Sequence, residues 1–196
     1  MNVVRAAVLA GIGGCIPHLY SEDYSEVDTG PWSWTAPVNT WPLAEPPVGT
    51  EAEGYEPGQV VPDVRLIDQF GDEVSMWQFY GQVILLDVST MWCAPCQDLG
   101  LHTEQNWQEY RDRGFVYVTV LQQDVEGDPT ELVDVNEWVD TFAITAPVLA
   151  DPDAETYGAI QNDTFPTVLV VGRDLKVIER LGTTDEELRA AIEAAL

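Results

Sequence analysis

Positive charge is what this sequence has least of. Of 196 residues only eight are Lys or Arg, against 34 Asp or Glu, and Lys176 is the single lysine, so the formal net charge is −26. Such a chain repels phosphate backbones and anionic lipid alike, which excludes nucleic acid as a partner and electrostatic docking to a membrane. The acidic balance itself reads as a solubility device rather than as a specific activity. Histidine is nearly as scarce: His18 and His102 are the two present, and with Cys15, Cys93 and Cys96 they form no zinc-finger spacing, so no metal is expected. His102 reads as ordinary helix surface. No apolar run approaches the length needed to span a bilayer. Gly-rich phosphate loops, flavin sites, Ser–His–Asp patterns and internal repeats are all missing, so no cofactor is expected.

What remains divides into three stretches by composition. Residues 1–14 carry one charge, Arg5, followed by an uncharged run from Ala6 to Gly14, the shape of a short secretory signal. Ile12-Gly13-Gly14-Cys15 resembles a bacterial lipobox, with Ile where Leu is usual and an unusually brief signal before it; it makes Cys15 a lipidation site rather than a third redox thiol. The alternative is an unstructured cytosolic start with an incidental cysteine. Residues 15–55 are acidic and broken by Pro17, Pro31, Pro37, Pro42, Pro46 and Pro47, with no Lys or Arg and no sustained period. They read as an extended tether. Trp32, Trp34 and Trp41 are out of place in a plain spacer, because indoles are costly to leave in water, and packing back onto the domain is the expectation for them. Residues 56–196 supply enough apolar sequence for one domain of ordinary size.

Within that domain the stretch Thr90-Met91-Trp92-Cys93-Ala94-Pro95-Cys96 organises the rest. Val83 to Val88 before it is short and mostly apolar, a buried strand. Behind it Leu99, Thr103, Trp107 and Tyr110 recur at helical spacing through Arg113. Cys93 therefore stands where a strand hands over to a helix, facing unpaired backbone N–H groups and the positive end of the helix dipole, which favour a thiolate. Pro95 suits the first helical turn. Cys96 lies one turn in, close enough to close a small ring: a surface thiolate attacks and its neighbour resolves. A CxxC is also half of a zinc site, or a structural disulfide, although stapling bridges usually join segments distant in sequence.

The remaining chain alternates. Val64–Ile67 and Glu73–Ser75 flank the turn Asp68-Gln69-Phe70-Gly71-Asp72 as a hairpin. Met76 to Tyr80 forms a short helical turn, and Phe115–Leu121 a strand covered on both faces. Thr130 caps a helix from Glu131 to about Phe142. Pro147–Leu149 is a brief strand, Asp153–Ile160 a short helix, and 168–171 and 176–180 a second hairpin. Thr184 caps a closing helix, Asp185–Ala195, with acids in its first turn. This gives an α/β sandwich with a mixed central sheet.

Trp92-Cys93-Ala94-Pro95-Cys96 after an Ile-Leu-Leu-Asp strand resembles a thioredoxin-fold active site. The wider pattern resembles the TlpA/ResA group of extracytoplasmic thiol–disulfide oxidoreductases, relatives of the AhpC/TSA peroxiredoxins. The resemblance implies a thioredoxin-like three-layer sandwich with an N-terminal hairpin extension, and a Cys93–Cys96 redox disulfide. It makes Pro166, between Phe165 and Thr167, a cis proline against the dithiol, and it makes Trp92, Ala94, Pro95, Phe165 and Thr167 contacts for substrate. Asp87, six residues before Cys93, matches the buried acid of thioredoxins proper, where many TlpA/ResA members carry a neutral residue. An unpaired, buried carboxylate there holds its proton tightly and exchanges it with Cys96.

The function implied is disulfide exchange with protein substrates in the cell envelope, by a monomer fed by a membrane or envelope electron donor; a ResA-like member would reduce particular proteins such as apocytochromes c. Two other enzymatic or binding readings stand beside it. Thr90, three before Cys93, suits a peroxiredoxin, yet Leu86 occupies the place of the proline such enzymes need. A Sco-type copper module spaces its cysteines CxxxC and adds a distant histidine, whereas here the spacing is CxxC and no histidine follows His102. A non-catalytic assembly module driven by the tryptophan-bearing tether is the reading from a third class.

Overall fold

The structure, a computed structural model, describes residues 39–160 and 164–196. The expected signal of residues 1–14, the expected lipidation site Cys15, and Trp32 and Trp34 lie outside the described residues. Seven strands in these residues form one mixed sheet: β1 (Arg65–Asp68), β2 (Glu73–Ser75), β3 (Val83–Ser89), β4 (Phe115–Leu121), β5 (Val148–Ala150), β6 (Thr167–Val171) and β7 (Val177–Leu181), in the spatial order β2-β1-β5-β4-β3-β6-β7. Four helices accompany it: α1 (Ala94–Tyr110), α2 (Leu132–Phe142), α3 (Glu155–Ile160) and α4 (Asp185–Ala195). A 3-10 turn, Met76–Phe79, joins β2 to the sheet centre, and another, Arg111–Arg113, ends α1 three residues before the expected end of that helix.

The centre of the sheet follows from composition. β3 and β4 are buried at every position, so both faces must be covered, and they run parallel in register from Val83 opposite Phe115 to Ser89 opposite Leu121. β6 closes the other side of β3 antiparallel. α1 packs on β4 and touches α2 and α4; α2 lies over β5 and β1, and α4 over β3 and β6. The strand ends that carry Ser89 and Leu121 therefore open on the N-terminus of α1, which fixes where chemistry sits.

Local signals explain the edges. In the β1–β2 turn the Asp68 carboxylate accepts from the N–H groups of Phe70 and Asp72 at 2.8 and 2.9 Å, and Gly71 takes the positive φ. Thr184 caps α4 through its hydroxyl, which accepts from the Glu187 N–H. The start of α2 departs from the expected Thr130 cap. Glu131 is the cap residue, its carbonyl accepting from the Asp134 N–H while the Asp134 carboxylate accepts from the Glu131 N–H at 2.7 Å, and the Thr130 hydroxyl is buried without a partner among the described residues. α3 begins two residues later than expected because Asp151, fully buried, holds the N–H groups of Glu155 and Thr156. Residues 39–55 carry no helix or strand, but Trp41 packs on the core with its ring centroid 5.8 Å from that of Phe70, and Tyr55 is buried.

Gly114 ends the Arg111–Arg113 turn in the left-handed region, φ 83°, and an added Cβ would meet the Arg173 guanidinium at 2.5 Å. That guanidinium donates to the carbonyls of Gly81, Arg113 and Gly114, tying the starts of β3 and β4 to the β6–β7 turn. Gly114→Ala is expected to cost about 1 to 3 kcal/mol, from the backbone conformation and the displaced arginine together. Urea unfolding of the variant beside the parent measures it; an unchanged midpoint would contradict the assignment.

Candidate active site

Cys93 is the N-cap of α1, with extended backbone, and Pro95 follows inside the first turn. The Cys93 sulfur accepts from the Cys96 N–H at 3.3 Å, and the Cys93 carbonyl accepts from the N–H groups of Cys96 and Gln97. The first turn of this 17-residue helix contains no acidic residue, which leaves the positive helix end to favour a Cys93 thiolate when the pair is reduced. Cys93 and Cys96 are joined as a disulfide, their Cα atoms 5.2 Å apart. The expected surface position of Cys93 is corrected: it is 4% exposed and Cys96 is fully buried. Cys93 keeps only a slight advantage in access over Cys96, and its place as the helix cap is the larger difference between the two.

Trp92, beside Cys93, joins the motif to two distant loops. Its ring is 49% exposed and stands edge-on to Phe165, centroids 6.0 Å apart, while its indole N–H donates to the Gln123 side chain at 2.9 Å. The Met91 N–H donates to the Gln123 carbonyl, and the Gln97 amide donates to the Met91 carbonyl at 2.7 Å. The Phe165–Pro166 bond is cis, and Thr167, buried, opens β6 opposite Val88. Trp92 and Phe165 thus bring the motif and the loop of Pro166 together, and Ala94 and Pro95 are exposed at the helix start. Sequence reasoning missed Gln97 and Gln123; for Gln123 the available signal is the Gln122-Gln123 pair at the C-terminal end of a buried parallel strand, and for Gln97 only its place one residue after the motif.

Below the dithiol strand, Asp87 is 1% exposed. It is not unpaired, as the sequence suggested: the Ser89 hydroxyl donates to one carboxylate oxygen and the Tyr117 hydroxyl to the other at 3.4 Å. Burial pushes its pKa up to about 7, and the two hydrogen bonds hold it from rising further. Tyr117, fully buried beside this carboxylate, is itself pushed well above the usual tyrosine range, first by burial and then by the Asp87 charge. Asp87 therefore changes protonation near neutral pH in a dry site, which suits a group that receives a proton from a thiol. Thr90, fully buried, keeps its hydroxyl without a partner among the described residues. In the same residues no group of three or more His, Cys, Asp or Glu side chains is placed to hold a metal ion, and no helix is long and apolar enough to cross a membrane.

With that geometry in place, comparison with known proteins is decisive on lineage. The model of the AhpC/TSA family matches residues 57–180. The chain belongs to the AhpC/TSA family. Within reach of it are the thiol-disulfide oxidoreductase ResA of Bacillus thuringiensis subsp. konkukian, 25% identical over 135 residues that cover 67% of this chain and 73% of that protein. ResA of Geobacillus thermodenitrificans is likewise 25% identical, over 147 residues covering 74% of this chain and 81% of that one. Among solved structures, the thioredoxin domain of a thiol-disulfide oxidoreductase from Bacteroides vulgatus superposes with a TM-score of 0.62 at 17% identity, over 72% of this chain and 99% of that domain. The fold is thioredoxin-like, with the β1–β2 hairpin as its N-terminal addition. This AhpC/TSA member is a thiol–disulfide oxidoreductase with Cys93 and Cys96 as its CxxC pair.

Proposed function

We propose that this oxidoreductase works in the cell envelope, held to a membrane by lipid on Cys15, and exchanges disulfides with protein substrates. The observation that carries the chemistry is the Cys93–Cys96 disulfide at the start of α1, next to the half-exposed Trp92 that meets Phe165, with a buried carboxylate that titrates near neutrality on the preceding strand. In the reducing direction the Cys93 thiolate attacks one sulfur of a substrate disulfide. That S–S bond breaks, the released thiolate takes a proton from solvent, and a mixed disulfide remains on Cys93. Cys96 then gives its proton to Asp87 and attacks the Cys93 sulfur, closing the protein disulfide and releasing the second substrate thiol. Two electrons have passed to the substrate. Pro166, Phe165 and Thr167, with Trp92, Ala94 and Pro95, line the approach and align the substrate backbone. The reverse sequence inserts a disulfide, and the direction is set by the reduction potential of the pair.

Pre-reduced protein is expected to reduce the disulfides of insulin. Failure to do so, with peroxide consumed instead, would favour the peroxiredoxin reading; tight copper binding without exchange would favour the Sco-type one. The anchor has its own test. Mass spectrometry of the full chain expressed in a bacterial host is expected to show residues 1–14 removed and lipid added at Cys15, and an intact Met1 with a free Cys15 thiol would overturn the anchoring.

A further inference from the structure

Beside the dithiol, on the flank of α1 facing α2, lies a cavity of about 420 Å³ lined among others by Met91, Gln97, Leu101, Trp138 and Phe142. It begins one residue from Trp92 but is not the Trp92–Phe165 approach itself. Its apolar parts are unusually open: Leu101 is 68% exposed and Val125, on the loop after β4, 53%. Its charged parts are acidic only, Asp98 from α1 and Glu137 from α2. A shallower depression continues from Glu137 and Thr141 along α2 to Asp140. The surroundings reinforce that sign. No Lys or Arg occurs from residue 66 to 110 or from 114 to 172, so every segment that builds the mouth of the site is free of cations, while Asp124, Glu126 and Asp128 crowd the loop after β4. Among the described residues, five arginines (65, 111, 113, 173 and 189) are engaged with carboxylates or carbonyls elsewhere.

We propose that this groove is a docking subsite for a cationic segment of the protein substrate, one that seats an apolar side chain beside Leu101 with a lysine or arginine against Asp98 and Glu137. The inference rests on the disulfide-exchange reading above and names the class of substrate for it. An apolar floor gives contact area and the acidic rim gives selection, because a face of one charge sign draws in the opposite sign and rejects its own. A general acidic coat would act on every approach equally; a groove adjoining the dithiol acts on the substrate already aligned for exchange.

The test uses the full protein, pre-reduced, in single-turnover reaction with two disulfide-bridged peptides that differ only in flanking residues, Arg and Leu in one and Glu and Leu in the other. Wild type is expected to reduce the basic peptide faster, with the ratio shrinking as salt is raised. Asp98→Asn with Glu137→Gln is expected to lower the basic-to-acidic ratio about fivefold, as loss of two exposed charge contacts implies. The ratio cancels any effect of Asp98 on the cysteines, since both peptides meet the same dithiol. Glu179→Gln with Glu186→Gln, which removes equal charge on β7 and α4, is expected to leave most of the ratio in place. Equal rates for both peptides in wild type, or an equal fall in both double variants, would overturn the subsite while leaving exchange itself intact. No turnover of either peptide would instead strike the exchange reading.

Discussion

Cys93→Ser is expected to abolish disulfide exchange, and Cys96→Ser to stop it half-way with substrate bound. The two cysteines share one ring but not one environment. Cys93 is the helix cap, its sulfur facing the Cys96 N–H and a first turn without carboxylates, whereas Cys96 is sealed inside the helix base. The nucleophile is the one whose anion the helix terminus stabilises and a substrate sulfur reaches. With Cys96→Ser the mixed disulfide on Cys93 has no internal thiol to displace it and accumulates to one substrate per chain. Non-reducing electrophoresis and intact mass check this against a disulfide-bridged substrate. A trapped adduct on Cys96 in the Cys93→Ser protein, instead of on Cys93 in the converse variant, would reverse the assignment.

Asp87→Asn is expected to change stability in a strongly pH-dependent way. The folded-state pKa of Asp87 is raised from 3.8 to about 7 by burial. A carboxyl whose folded value lies above its unfolded value binds its proton more tightly in the native state. Its contribution is therefore most favourable below pH 4 and is lost as pH rises from there to about 7. Across that window the wild type should lose roughly 4 kcal/mol relative to the variant, which has no proton to give up. The other carboxylates titrate in both proteins and cancel from the difference. At neutral pH the variant is thus expected to match or exceed the parent in stability, the Ser89 and Tyr117 hydroxyls turning to suit an amide. It should also release product slowly from the mixed disulfide, while the first attack by Cys93 is less affected. Urea unfolding from pH 4 to 8, beside single-turnover kinetics, reads both. A stability difference flat with pH, together with resolution at the parent rate, would make Asp87 a structural residue only.

Sequence alone reached the centre of this molecule more surely than its edges, for a physical reason. β3 and β4 are continuous apolar runs because both faces are covered, and a run of that kind has one structural meaning beside a motif helix. Thr184 followed by three acids marks the start of α4 in the same local way. The misjudged cap at α2 shows the limit: Thr130 and Glu131 are adjacent and both able to accept, and the choice depends on where Asp134 reaches back, which is geometry rather than spacing. Asp87 was legible as a buried acid from its apolar neighbours, but its partners were not all local. Tyr117 lies 30 residues on and meets it only because β4 pairs with β3. The surroundings of Trp92 likewise come from loops far apart in sequence, through Phe165 and Gln123. The groove between α1 and α2 carries no sequence signal beyond the long gap without a cation.

The redox equilibrium of one bond separates an exchange pair from a structural staple. Full-length protein is equilibrated in thiol buffers of graded potential, quenched by alkylation, and the fraction of Cys93–Cys96 disulfide read by mass. A working exchange pair is expected to open in one two-electron step between about −270 and −120 mV, with Cys93 alkylated ahead of Cys96 in the reduced form. A bond that stays closed below about −300 mV would be a structural staple, and the central claim would fall.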